Sequence, residues 1–511
     1  MPCIFISADH GLAVIYFLQT DLLPTLLNAG VEVVLLTDDA LIEGINARFG
    51  RPGLIVEGLR FKQCRAYYQT EKSAMQYWLD FLRRAGGSYK INLGAVEAYR
   101  EQVKFEATGS RRAAFPIMES ALHLVRSSPW ARKTLVDLQS RFTANIYGDL
   151  FERYNPAMVI AATPGWRLDR YLLREAAARG IPNTAVIVGW DNPSSYNVPG
   201  ARMDFATCWS QIQKDELVLG SDWNPARVNI GGIPSYDGYF NKTWQMPRAD
   251  YFRLHGLDPH RKLIAYAASF ITFSPNLQNI EALARLVTND ELAEPSQLLV
   301  RLHPNHFNDV PRFAEERERV RQFVREFPHV HLVEPVSLAD ALPTKKDVAT
   351  LSGGGSILSG GFAKSKDDSP PKSKGGGELG YYSGEDMDEK SSMMAHADVF
   401  TTVYSTMVVE AACHHTPVVA VTIDHEYGWK EKDKFYLPLT EIGHWPTHDR
   451  FRKSGAGQVA TTPAELRDAL NHALTNPDAY APAREKFLAD EVTFTDGEAA
   501  RRTGEYLLSL L

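Results

Sequence analysis

Cysteine is scarce in this chain of 511 residues. Its four cysteines, Cys3, Cys64, Cys208 and Cys413, lie far apart and in no metal-type spacing. That pattern excludes a disulfide framework and points to a reducing compartment. Excess positive charge is also missing: the formal net charge is −7, so nothing electrostatic recommends nucleic acid as a partner. No apolar run approaches the roughly 18 residues needed to span a bilayer. The opening Met-Pro-Cys-Ile-Phe-Ile-Ser has no basic flank, and Asp9 and His10 interrupt it soon after, unlike a signal peptide. The expectation is a cytoplasmic protein, or at most one peripheral to a membrane. The glycine runs between 351 and 390 are not followed by Gly-Lys-Ser/Thr at phosphate-loop spacing. No convincing Asp-x-Asp occurs either, since Asp38-Asp39 only ends a strand in the first half.

What is present is a globular composition, 44% hydrophobic and 23% charged, in a chain long enough for two domains of about 200 residues each. Apolar runs alternate with helical periodicity. Cys3 to Ser7 reads as a strand, Leu12 to Ala29 as a helix closed by Gly30, and Val31 to Thr37 as the next strand. Such a unit implies a parallel sheet with a right-handed crossover. A helical, aromatic and basic stretch follows from about 60 to 150. Alternation resumes at Ala157 to Ala162 and runs to Val228 to Ile230. After a linker near 243–250 it restarts at Lys262 to Ala267. Two such runs predict an α/β protein with two doubly wound domains facing across a cleft. The expected boundaries are 1–242 for the first, 251–480 for the second, and 481–511 for closing helices. Residues 351–390 hold ten glycines and seven serines, and this region, about 345–392, reads as a disordered insertion.

The chemistry-bearing residues fall in loops after strands. Val403-Tyr404-Ser405-Thr406-Met-Val-Val-Glu410-Ala411 reads as a turn bearing two hydroxyls that leads into a helix. There, unpaired N–H groups and the helix dipole favour an anion, and Glu410, one turn on, suits ribose hydroxyls. Without a ligand the same residues serve as an ordinary N-cap. Three further loops join this one: Ala268-Ser269-Phe270; Arg301-Leu-His303-Pro304-Asn305; and Glu334-Pro335-Val336-Ser337. His303 can donate to a phosphate or, protonated, offset its charge. His303 with His306 suggests a metal pair, but no third ligand is evident. In the first half Asp9 and His10 precede Gly11, which permits close approach to the backbone. Either side chain is a candidate base for an acceptor hydroxyl, with Asp191 and Asn192 as the second choice. Trp190 is a candidate stacking platform for a sugar.

These motifs resemble the GT-B glycosyltransferases. The likeness is to the branch of surface-polysaccharide and teichoic-acid transferases related to CDP-glycerol glycerophosphotransferases, with non-hydrolysing UDP-GlcNAc 2-epimerases as cousins. That branch carries a His-Pro loop, a Glu-Pro loop and Asp-Tyr-Ser-Ser-x-x-x-Asp/Glu-Ala. Here Val403 replaces the family's Asp and Thr406 its second Ser. Gly189-Trp190-Asp191-Asn192-Pro-Ser-Ser and Cys208-Trp-Ser-Gln-Ile-Gln-Lys214 resemble uncharacterised surface-carbohydrate proteins, and the likeness as a whole covers residues 150–425. It implies a metal-independent enzyme without a further cofactor. A nucleotide-sugar or CDP-polyol donor would lie in the second domain and a glycan or lipid-linked acceptor in the first. Phosphates would rest on Ser405, Thr406 and His303, with Ser269, Arg301 and Tyr404 beside them; Glu334 and Ser337 would line the base pocket. Two alternatives stand beside a transferase. A 2-epimerase would carry an Asp-Ser-Gly-Gly turn where this chain has Tyr404-Ser405-Thr406. A non-catalytic subunit would bind nucleotide sugar or glycan without turnover.

Overall fold

The computed structural model describes residues 1–268, 277–307, 311–335, 384–424 and 435–511. Ser269, Ser337 and most of the glycine-rich insertion lie outside the described residues. Among the described residues thirteen strands form two sheets, every pairing parallel. The first sheet takes β1 (Cys3–Ser7), β2 (Glu32–Thr37), β3 (Leu54–Gly58), β4 (Met158–Ala161), β5 (Asn183–Val186), β6 (Phe205–Cys208) and β7 (Val228–Ile230). Their order across the sheet is β3-β2-β1-β4-β5-β6-β7. The second takes β8 (Lys262–Ala267), β9 (Ser296–Arg301), β10 (Val330–Val333), β11 (Val399–Thr402), β12 (Val418–Val421) and β13 (Gln458–Ala460). Its order is β10-β9-β8-β11-β12-β13. This is the predicted α/β architecture of two doubly wound sheets.

The central strands are buried along their whole length, so they read as unbroken apolar runs, as sheets covered on both faces must. The strand order reverses between β1 and β4 in one sheet and between β8 and β11 in the other. Ligands of such sheets bind outside the carboxyl ends of the strands at these reversals. Those ends carry Asp9 and His10 after β1, Thr163 to Asp169 after β4, and Tyr404 to Thr406 after β11.

The predicted first helix is two, Gly11–Leu18 and Leu22–Asn28. Gly30 follows with φ +79°, the left-handed turn that glycine tolerates at a helix end. Six helices between Phe61 and Tyr154 form the predicted helical layer. The closing helices Ala481–Val492 and Ala499–Leu508 return to the first lobe. There the Asp237 carboxylate accepts from the Ala499 and Ala500 N–H groups at 3.0 and 2.7 Å, capping the last helix. One continuous apolar core joins Trp190, Trp209 and Tyr236 of the first lobe to Met407, Phe451 and Phe487 of the second lobe and the returning helix.

The reading of 384–392 as part of a disordered insertion is corrected. Gly384–His396 is a helix, with Asp386, Met387, Met393 and Met394 buried. Asp386, Glu389 and Lys390 face inward to partners from distant segments, so its composition does not resemble that of an amphipathic surface helix.

Candidate active site

At the reversal of the first sheet, Asp9 is fully buried and His10 half-buried. The His10 Nδ1 lies 2.6 Å from Asp9 Oδ1, and Arg167 Nε lies 3.2 Å from Asp9 Oδ2. Asp9 does not cap the helix that follows: His10 holds the N-cap position, and no side chain makes a cap bond there. Gly11 is the first helical residue. Burial works to raise the Asp9 carboxyl, yet His10 and then Arg167 hold it below its ordinary value. Asp169, after β4, behaves oppositely. It accepts from the Thr163 hydroxyl at 3.1 Å, and burial together with the Asp9 charge pushes its carboxyl up to about 8. Two neighbouring carboxyls are thereby driven apart, one ionised and one protonated at neutral pH, an arrangement typical of acid–base sites. Sequence reasoning found Asp9 and His10 and missed Thr163, Arg167 and Asp169, since no motif spacing marks them.

The wall beside this cluster is aromatic and basic. Trp166 stacks on Tyr196 at 5.3 Å, and Arg84 lies over Tyr196 and Tyr99 at 5.0 and 4.0 Å. Asp191 accepts from Ser195 at 3.0 Å, and burial pushes its carboxyl up. Asn192 folds back over Gly189, where a Cβ would sit 2.4 Å from its Oδ1.

Trp190 is not a sugar platform. It is 1% exposed, its Nε1 donates to Glu491 Oε2 at 2.7 Å, and its edge meets His448 at 6.1 Å. No face is left for a ligand. His448 stacks in turn on Tyr404 at 4.8 Å, so the loops after β5 and β11 meet across the cleft through one imidazole. Burial, with Arg450 beside it, pushes His448 down to about 3, leaving the ring neutral. Arg450 completes the junction, donating to Glu491 at 2.6 Å and to Glu216 of the first lobe at 2.9 Å.

Across the cleft, the Ser405 Oγ accepts from the Met407 N–H at 3.3 Å. The helix runs only over Met407–Cys413, and Thr406, its N-cap, makes no side-chain cap bond. Both hydroxyls are half-buried at the lip of the turn. Glu410 differs from expectation. Its carboxylate pairs with Lys390 at 2.7 Å and accepts from Tyr239 at 2.5 Å, so protein groups already hold the oxygen expected to hold ribose. Arg301 is likewise buried and paired with Asp386 at 2.5 Å. Glu334 is held by both arms of Arg321, at 2.5 and 2.9 Å, and is committed to that pair rather than open to a base. Burial, then His306, Arg301 and Lys390, push His303 down to about 3. A neutral imidazole can donate to a phosphate but cannot supply the charge. His306 lies 3.5 Å from Glu316. Among the described residues no group of three or more His, Cys, Asp or Glu is placed to hold a metal.

No protein-family model matches the chain, and no curated protein does. Solved structures do resemble it. The S. aureus MnaA–UDP co-structure aligns with a TM-score of 0.50 and 12% identity, over 100% of this chain and 98% of that one. The UDP-GlcNAc 2-epimerase from Neisseria meningitidis bound to UDP-GlcNAc gives 0.49 at 11%, over 100% of both chains. WaaG, a glycosyltransferase involved in lipopolysaccharide biosynthesis, gives 0.44 at 12%, over 99% of both. At such identities the likeness speaks for the fold. The fold is the two-lobed GT-B arrangement of paired Rossmann-like sheets.

Proposed function

We propose that this chain is a transferase that moves a sugar, or a glycerophosphoryl group, from a nucleotide-activated donor to an acceptor hydroxyl. The Asp9–His10 pair carries this reading. With Nδ1 held by a buried carboxylate, Nε2 is the atom through which His10 exchanges a proton. In sugar transfer, His10 takes the acceptor's hydroxyl proton as that oxygen bonds to the anomeric carbon. The bond from that carbon to the diphosphate breaks, and the nucleotide leaves with the electron pair. Asp9 offsets the imidazolium charge. The Ser405–Thr406 turn, at the other sheet's reversal, is where the leaving phosphates would rest, with hydroxyls and N–H groups as donors. Acceptors would approach along Tyr196 and Arg84, which are half-buried.

A second reading, epimerisation of a UDP-sugar, draws on the opposed protonation of Asp9 and Asp169, an acid and a base side by side. The complete burial of Asp169 counts against its direct contact with a sugar. Calorimetric titration with UDP, GDP, CDP, CMP and ADP on wild type and Ser405→Ala tests the donor site; about a tenfold loss is expected for one charge-assisted hydrogen bond. Incubating the bound nucleotide's sugar with protein in D2O then separates the readings. Deuterium entering the sugar at carbon 2 without acceptor means epimerase, and acceptor-dependent nucleotide release means transferase. Binding with neither leaves a non-catalytic subunit. No nucleotide binding at all would overturn both enzyme readings and leave only a subunit that binds glycan.

A further inference from the structure

The helical layer holds large apolar side chains exposed to solvent. Helix Gly109–Ser127 buries Phe115, Leu122 and Val125 and leaves Ile117 67% and Leu124 53% exposed. Seven residues separate these two, so they share one helix face. Trp130, at the start of the next helix, Pro129–Gln139, is 70% exposed. A lone exposed apolar residue means little, but clustered large ones mark contact surfaces.

Charge identifies what the contact is. Residues 61–141 hold fourteen Lys and Arg against seven Asp and Glu, in a chain whose net charge is −7. Between Ala107 and Val136 the only acid is Glu119, and Lys104 is 3.3 Å from it. Arg112 and Lys133 are exposed, and neither forms an ion pair among the described residues. A second copy of this face would bring positive charge against positive charge. Trp and aliphatic side chains bordered by Lys and Arg are what interfacial helices present to anionic lipid. No described helix is long and apolar enough to cross a membrane, so the contact would be peripheral.

We propose that this face docks on an anionic bilayer, with Ile117, Leu124 and Trp130 entering the boundary between headgroups and acyl chains. Arg112 and Lys133 meet the headgroups. The inner side of the same layer reaches the candidate site through Arg84 over Tyr196, so docking would hold the acceptor wall near the lipid surface. The inference does not depend on which reaction the cleft performs.

Co-sedimentation of the full chain with vesicles tests it, using phosphatidylcholine alone and phosphatidylcholine with about one third phosphatidylglycerol. Wild type should sediment with the anionic vesicles at low salt, release as salt rises, and largely ignore the neutral ones. Ile117→Ser with Trp130→Ser should weaken binding about tenfold or more. Arg112→Gln with Lys133→Gln should remove most of the preference for anionic lipid, roughly fivefold per charge. All four positions are exposed, so unchanged thermal unfolding and nucleotide titration serve as fold controls. Absence of wild-type binding to anionic vesicles at low salt would overturn the proposal. So would binding indifferent to both double variants, or a wild-type dimer in sedimentation velocity that Trp130→Ser dissociates.

Discussion

A carboxylate on one imidazole nitrogen decides which tautomer stands ready and offsets the charge when the ring takes a proton. Asp9 is placed to do both for His10, so His10→Ala should lower turnover by about 10² to 10⁴ while nucleotide affinity stays within twofold. Equal losses in binding and turnover would make His10 a structural residue. Asp169 gives a prediction independent of substrate. Its ordinary value is 3.8 and its folded value about 8, so between these the folded chain keeps a proton that the unfolded chain has lost. Stability from this group is therefore full below about pH 4 and declines as pH rises to about 8. Asp169→Asn lacks that titration. In urea unfolding across pH 4 to 9, the variant should gain on wild type steadily up to about pH 8 and then hold its lead. A gap independent of pH would mean that Asp169 ionises normally.

Among the elements, helix Gly384–His396 shows how charged residues can be interior. Asp386 meets Arg301, Glu389 accepts from Tyr251 at 2.6 Å, and Lys390 meets Glu410. Breaking a buried pair on one side costs about 3 to 5 kcal/mol, because the remaining charge stays uncompensated. Lys390→Met should cost about that much in denaturant unfolding, and adding Glu410→Gln should recover most of it; additive losses would mean that the pair is not coupled. This helix also marks where the sequence was hard to read. Interior parallel strands are unbroken apolar runs, so most were legible: Cys3–Ser7 and Lys262–Ala267 match residue for residue, as does the edge strand Val228–Ile230. The edge strands Leu54–Gly58 and Gln458–Ala460 are only partly buried and carry no such run. A helix whose polar side faces inward, next to a glycine-rich stretch, has neither the composition nor the period of an ordinary one. In the candidate site, loop position after a strand singled out Asp9, His10 and Ser405 from the sequence. It could not reveal that Trp190 is enclosed or that Glu334 answers Arg321, since each depends on partners that only the folded chain supplies.

At the scale of the molecule, the question is whether the two lobes fold as one body. Arg450 is one polar tie between them: its partners Glu216 and Glu491 are 234 and 41 residues away in sequence. Burial, offset by Arg450 and reinforced by the Glu491 charge, pushes Glu216 up to about 7, and Glu491 is the partner whose carboxylate also accepts from the Trp190 N–H. Arg450→Met would leave that carboxylate buried with only the Trp190 N–H, a loss on the order of 3 to 5 kcal/mol, whereas Arg450→Lys would lose the fork that spans both acids. An apolar core running through both lobes and the returning helix opposes separation. A polar tie of that size sets how stable the body is, and the shared core sets how many bodies there are. Calorimetric unfolding of Arg450→Met should therefore show a single transition at lower temperature. Two resolved transitions would mean that Arg450, and not the core, couples the lobes.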